Sequence, residues 1–271
     1  MRDGILITFE GGEGAGKTTQ IRRVARWLKK KGYSVLLTRE PGGTPLADRI
    51  RTILLNPKNL GIHPVLELLL YEAARKDHVD HRLLPALLRG AVVLCDRFTD
   101  ATVAYQGYGR GLSIPLIKTW NRAVTGLVKP RLTFLFDLPA RTGLKRTVKR
   151  SPREMRFERE GLAFHERVRH GYRQLARRER RITVVDGRLP PQEVFRRITQ
   201  RLEKALGRTR FCRKSSIPTG SRPGTSSPGS TPRRIWPRRG RSHRRSLRVV
   251  RPTSSFFPHR RGPSRSIRSG R

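Results

Sequence analysis

Acidic side chains are what this chain is short of: 20 Asp and Glu stand against 61 Lys and Arg. Only two cysteines are present, Cys95 and Cys212. They lack metal-ligand spacing and are too few for a disulfide framework. Cys95 ends the apolar run Ala91-Val92-Val93-Leu94-Cys95 and reads as a buried, inert thiol. No apolar run approaches the length of a membrane span. Strand-like residues begin at Ile5, so no signal peptide is read ahead of them. A soluble, cytoplasmic protein is the expectation.

The formal charge of +41 divides unevenly. Residues 208–271 carry 19 of the basic residues and no acidic one, which leaves 42 against 20 in residues 1–207. The front part is a mixed-charge, periodic sequence and is read as one domain, 1–207. In 208–271 Ser, Pro, Gly, Thr and Arg replace all periodicity, a composition that predicts disorder. Two origins fit this tail. One is a polybasic appendage that contacts nucleic acid or acidic surfaces by counterion release, with Trp236, Phe256 and Phe257 free to stack. The other, preferred because the segment has neither fold nor pattern, is out-of-frame translation of GC-rich coding sequence.

The most informative stretch is Gly11-Gly12-Glu13-Gly14-Ala15-Gly16-Lys17-Thr18, which fits G-x-x-x-x-G-K-[ST]. Ile5-Leu6-Ile7-Thr8-Phe9 ahead of it reads as a buried strand. Behind it Ile21, Val24, Ala25 and Leu28 recur at helical spacing. That strand–loop–helix setting lets backbone N–H groups and a helix N-terminus face an anion. Lys17 is then placed for the β- and γ-phosphates of a nucleotide, and Thr18 for Mg²⁺.

Further along, residues 34–38 read as a second strand running into Arg39-Glu40-Pro41-Gly42-Gly43-Thr44. Helices are predicted over 45–55 and from about 63. The second of these carries Leu66, Leu69, Leu70, Ala73 and Ala74 on one side and puts Tyr71 and Arg75 one turn apart. Residues 91–95 are an apolar run suited to a central parallel strand. The run ends in Asp96-Arg97-Phe98, where Asp96 has the place of a carboxylate near the metal. Residues 104–111 read as a polar, glycine-rich loop, and 114–125 as a helix. A fourth strand is predicted over 132–138, a helix from Pro139 to about 149, and a long helix over 158–178 with Phe164, Val168, Tyr172 and Leu175 inward. A strand over 182–186 and a helix over 190–206 close the domain. Strands alternating with helices call for a doubly wound, five-stranded, mostly parallel α/β sheet with helices on both faces.

Phe9-Glu10-Gly11, Thr38-Arg39-Glu40-Pro41-Gly42-Gly43-Thr44, Asp96-Arg97-Phe98, Ala104-Tyr105-Gln106-Gly107-Tyr108-Gly109-Arg110-Gly111 and Arg156-Phe157-Glu158 stand in the order found in one family. Over residues 4–207 the chain resembles the bacterial thymidylate kinases, P-loop kinases of nucleoside monophosphates. The resemblance implies γ-phosphoryl transfer from ATP to dTMP with Mg²⁺, a homodimer, and a mobile lid at about 149–157. It further implies that Tyr71 stacks on the thymine and Arg75 hydrogen-bonds it, that Tyr105 and Gln106 lie against deoxyribose and base, and that Glu13 sits near the sugar 3′-hydroxyl. Arg97 would grip the acceptor phosphate, a task suited to a guanidinium fork; alternatively it caps the strand in a structural ion pair. By its spacing alone Tyr71 would be core. The loop has no arginine at its variable positions, which in this family goes with one supplied by the lid, and Arg150 and Arg153 are the candidates. Met155 stands where the family commonly has aspartate. Two other readings compete with this one: a kinase of the same fold acting on another nucleotide or nucleoside, and a basic nucleic-acid-binding protein with a regulatory P-loop.

Overall fold

Five parallel strands form one sheet in the order β2-β3-β1-β4-β5. They are β1 (Ile5–Gly11), β2 (Val35–Arg39), β3 (Val92–Asp96), β4 (Leu132–Asp137) and β5 (Ile182–Asp186). The computed structural model describes residues 4–147 and 156–207. Arg150 and Arg153, most of the expected lid, and the tail expected to be disordered lie outside the described residues.

The three inner strands are apolar runs because both their faces are covered by helices. The outer strands β2 and β5 leave Leu37 and Val184 exposed. Nine α-helical segments are described: α1 (Lys17–Lys30), α2 (Pro45–Leu55), α3 (Pro64–His78), α4 (Leu84–Leu88), α5 (Thr99–Thr102), α6 (Ile114–Thr125), α7 (Ala140–Thr147), α8 (Leu162–Arg178) and α9 (Pro191–Leu206). On one face α1 packs Ile21, Val24 and Leu28 with Val194, Ile198 and Leu202 of α9. On the other, Ile117 of α6 and Phe164, Val168 and Tyr172 of α8 close over Leu135. The start of α2 follows its local sequence: Pro45 fills the first turn and the Thr44 hydroxyl accepts the Ala47 N–H at 3.2 Å.

The winding gathers the functional segments. Because β1 lies between β3 and β4, Phe9 is opposite Asp96 and Gly11 opposite Phe136. The phosphate loop therefore emerges beside the Asp96-Arg97-Phe98 turn, at the carboxyl edge of the sheet. Gly14 is required there: its φ is 64°, and a Cβ would stand 2.1 Å from the Gly143 carbonyl oxygen of α7.

Three local expectations need correction. The side of α3 with Leu66, Leu69 and Ala73 faces outward, and its buried side is mostly polar: Glu67, Glu72, Arg75 and His78 with Leu68 and Ala74. Charges are tolerated inside because Glu67, Arg75 and His78 meet partners from distant segments, while Glu72 pairs with Arg75 on the same helix. Residues 103–109 are π-helical turns that continue α5, where a loop was predicted. The Arg110 N–H bonds to the Tyr105 carbonyl, five residues back, at 2.9 Å. Glycine makes this fit, since a Cβ on Gly109 would come within 2.7 Å of the Phe164 ring. Helix α8 starts at Leu162, four residues later than predicted, because residues 157–159 make a separate 3₁₀ turn that buries Phe157.

Candidate active site

A cavity of about 460 Å³ opens at the carboxyl edge of the sheet. Glu13, Lys17 and Thr18 of the phosphate loop line it, with Asp96 and Arg97 after β3. Tyr71 and Arg75 enter from α3, Tyr105 and Gln106 from the π-helical turns. Every described side chain expected to touch nucleotide beyond the loop backbone thus reaches one space. Arg39, Glu40, Arg51, Phe98, Thr102, Phe157 and Glu158 also line it. Of these, Arg39, Glu40, Phe98, Phe157 and Glu158 lie in the family-like segments, where the sequence assigns them no role, and Arg51 and Thr102 carry no motif signal.

At the loop, Lys17 is buried and its Nζ donates to the carbonyls of Gly11 at 2.9 Å and Gly12 at 2.8 Å. Burial pushes its amine down to about 8, and the nearby Arg97 charge adds to this against the pull of Glu13, Asp96 and Glu10. The Thr18 hydroxyl donates to Asp96 Oδ2 at 3.0 Å. That places a hydroxyl and a carboxylate oxygen side by side, both hard donors of the kind Mg²⁺ takes. Among the described residues no cluster of three or more His, Cys, Asp or Glu could hold a metal alone. A magnesium that relies on phosphate and water oxygens for its remaining ligands fits this donor set.

Arg97 is the one non-glycine residue among those described with positive φ, at 70°. Its Nη2 donates to Glu13 Oε1 at 2.6 Å and its Nη1 to the Tyr172 hydroxyl at 3.2 Å, with the guanidinium 4.8 Å from the Tyr105 ring centroid. The Tyr105 hydroxyl also donates to Glu13 Oε1, at 2.8 Å. The Glu13 carboxylate therefore occupies the very donors that would face an anionic substrate group. Behind them, Glu10 is fully buried. Burial, with Asp100 next, pushes its carboxyl up to about 8, while Arg97, the Tyr172 hydroxyl and the Phe98 N–H pull it back.

Arg75 is held more completely than a ligand-binding arginine needs to be. Its Nε donates to Glu40 at 2.8 Å, its Nη1 to Glu72 at 2.8 Å and Asn121 at 2.7 Å, and its Nη2 to Thr102 at 2.7 Å and the Phe98 carbonyl at 3.3 Å. All five N–H donors are engaged. The other oxygen of Glu40 meets His78 Nδ1 at 3.0 Å, and His78 Nε2 meets the Thr38 hydroxyl at 2.8 Å. Gln106 Nε2 donates to Glu67 at 2.8 Å. Glu67, with no exposed surface, also accepts from Arg156 at 2.6 Å and Arg110 at 3.2 Å. The phenol of Tyr71 is only partly covered, and burial shifts its ionisation upward.

Residues 9–198 match the family model for thymidylate kinase. The thymidylate kinase of Syntrophotalea carbinolica is 52% identical over 207 residues, covering 74% of this chain and 96% of its own. That of Geotalea daltonii is 54% identical over 191 residues, covering 68% and 89%. The crystal structure of thymidylate kinase from Ehrlichia chaffeensis superposes with a TM-score of 0.60 at 33% identity, covering 74% of this chain and 99% of that one. With the phosphate loop, the Asp96-Arg97 turn and the aromatic cavity wall converging as they do, the chain belongs to the thymidylate kinase family.

Proposed function

We propose that the cavity seats dTMP facing an ATP held by the phosphate loop, with Arg97 on the acceptor phosphate. The enzyme is a dTMP kinase: it moves the γ-phosphoryl of ATP to dTMP, giving dTDP and ADP. An oxygen of the acceptor phosphate attacks the γ-phosphorus, and the bond to the oxygen bridging to the β-phosphate breaks. No side chain needs to remove a proton, because the attacking group is already an oxyanion. The protein's part is placement and charge neutralisation. Lys17 faces the β- and γ-phosphates once its Nζ leaves the loop carbonyls. Arg97 exchanges Glu13 for the acceptor phosphate, which frees Glu13 toward the sugar. Mg²⁺, supported by Thr18 and Asp96, supplies charge neutralisation on the donor phosphates when bound.

For the base, Tyr71 offers its ring face, with Tyr105 and Gln106 alongside. Arg75 reaches a thymine oxygen by giving up its longest contact, the 3.3 Å bond to the Phe98 carbonyl. Arg150 and Arg153 are proposed to meet the moving phosphoryl group. The homodimer is proposed to cover the outward side of α2 and α3, where Leu46, Ile53, Val65, Leu66 and Leu69 are exposed together. No helix among the described residues is long and apolar enough to cross a membrane, and the cytoplasm, where both substrates are available, is the proposed location. The observation that carries the reading is Arg97, turned by a left-handed backbone into the cavity that Lys17 also lines. The test is ADP formation with dTMP, dUMP, AMP, GMP and CMP as acceptors: dTMP should be preferred, and preference for another acceptor would refute the assigned substrate.

A further inference from the structure

A residue with a Cβ persists in the left-handed region only where its surroundings fix it there, and such positions gather at functional sites. Around Arg97 the fixing groups can be named. Its own N–H donates to the Phe9 carbonyl at 3.0 Å, and its carbonyl accepts from Cys95 Sγ at 3.0 Å. The next N–H, that of Phe98, donates to Glu10 Oε1 at 2.7 Å. The other carboxylate oxygen of Glu10 accepts from the Tyr172 hydroxyl at 2.9 Å, and that hydroxyl accepts from Arg97 Nη1 at 3.2 Å. One carboxylate therefore pins the backbone just after Arg97 and, through Tyr172, one arm of its guanidinium. Neither Glu10 nor Tyr172 lines the cavity. Both sit behind Arg97 and reach it by hydrogen bonds; Tyr172 also packs edge-on against the Tyr105 ring, 6.3 Å between centroids.

We propose that Glu10 is a positioning residue for the acceptor-phosphate clamp, holding Arg97 in its left-handed conformation through the Phe98 N–H and the Tyr172 hydroxyl. The proposal rests on the reading that Arg97 grips that phosphate. It assigns Tyr172 a polar task besides its place in the core. Glutamate suits position 10 because two acceptor oxygens are needed at once. An amide has one acceptor oxygen and would lose either the backbone bond or the relay.

The test separates phosphate recognition from folding by comparing dTMP with thymidine, which lacks the phosphate. Dissociation constants for both are measured by calorimetry at about pH 9, where Glu10 carries its charge and offers both oxygens as acceptors, on wild type, Glu10→Gln, Tyr172→Phe and Arg97→Lys. Glu10→Gln and Tyr172→Phe should each weaken dTMP by about ten-fold, the size expected for one charge-assisted hydrogen bond, and leave thymidine within about two-fold. Equal weakening of both ligands, or no change in either, would overturn the proposal. If Glu10→Gln does not fold, Tyr172→Phe, which removes a single oxygen, decides it alone. Arg97→Lys tells the two levels apart. A selective loss of dTMP there, with none in the other variants, refutes the role of Glu10 only. An unchanged ratio in Arg97→Lys refutes the phosphate clamp and the proposal with it.

Discussion

Lys17 should take up a proton when ATP binds, in an amount set by pH. In the free enzyme, burial and the Arg97 charge hold the amine at about 8. The triphosphate brings negative charge against it and moves the amine back up, toward or beyond its ordinary range. The complex then binds more protons than the free protein, so affinity falls as pH rises through 8. With a starting value of about 8, the uptake assigned to Lys17 is about 0.1 proton at pH 7, about 0.5 at pH 8 and about 0.9 at pH 9. Between pH 8 and pH 9 affinity should drop by about five-fold. Calorimetry of ATP binding in buffers of different ionisation heat, with Mg²⁺ saturating, measures this uptake directly. Glu10 titrates near the same pH, so the informative quantity is the difference from Lys17→Arg, whose guanidinium stays charged throughout. No difference over pH 7–9, or proton release, would refute the assignment of Lys17 to the phosphates.

Tyr71→Ala should raise the KM for dTMP by about ten- to a hundred-fold and leave that for ATP nearly unchanged, since one stacking surface is lost; steady-state kinetics with each substrate varied in turn checks it. Arg75→Ala should act differently. It strands Glu40 and Glu72 among buried neighbours, so a loss of about 3–5 kcal/mol in urea unfolding is expected ahead of any selective kinetic effect. Glu67→Ala should destabilise the domain by a similar amount, because Arg156 and Arg110 lose their shared carboxylate. Ending the chain at Gly207 should leave dTMP kinase activity and Tm unchanged. The match to the Syntrophotalea carbinolica relative takes in 74% of this chain and 96% of that one, and a fall in either quantity would show that residues beyond Gly207 contribute to the domain.

Much of the fold was legible because its signals are local. Apolar runs marked the strands, and Pro45 after Thr44 marked the start of α2 to the residue. The phosphate loop was legible for the same reason, since its strand, glycines and helix are contiguous. The orientation of α3 was not. Three-and-four spacing shows that Leu66, Leu69 and Ala73 share a face, yet it cannot say on which side the core lies. The partners that make the opposite, charged face the inner one are remote: Glu67 meets Arg156 across 89 positions and Arg75 meets Asn121 across 46. Glu10 and Tyr172, 162 positions apart, were hidden in the same way. Glu10 lies in the Phe9-Glu10-Gly11 segment, which by itself assigns it no role, and the spacing of Tyr172 points only to the core.

The three cations that face the cavity differ in how they are kept before substrate arrives, and this orders their roles. Arg75 has every donor engaged, two of them by carboxylates with almost no exposure. An arginine so held keeps its position, which suits the proposed role of lending an edge to the base. Arg97 shares one partner, Glu13, with the Tyr105 hydroxyl, and its other arm donates to Tyr172 behind it. It is preset in direction and needs only an exchange of anions, which suits a clamp on a phosphate. Lys17 has two carbonyls and no carboxylate within its hydrogen bonds, and it is the one cation of the three whose charged form its surroundings disfavour. A charge that burial leaves poorly solvated acts most strongly where charge develops during transfer. Replacing Lys17 should therefore lower kcat, whereas loss of the Arg97 fork should first raise the KM for dTMP.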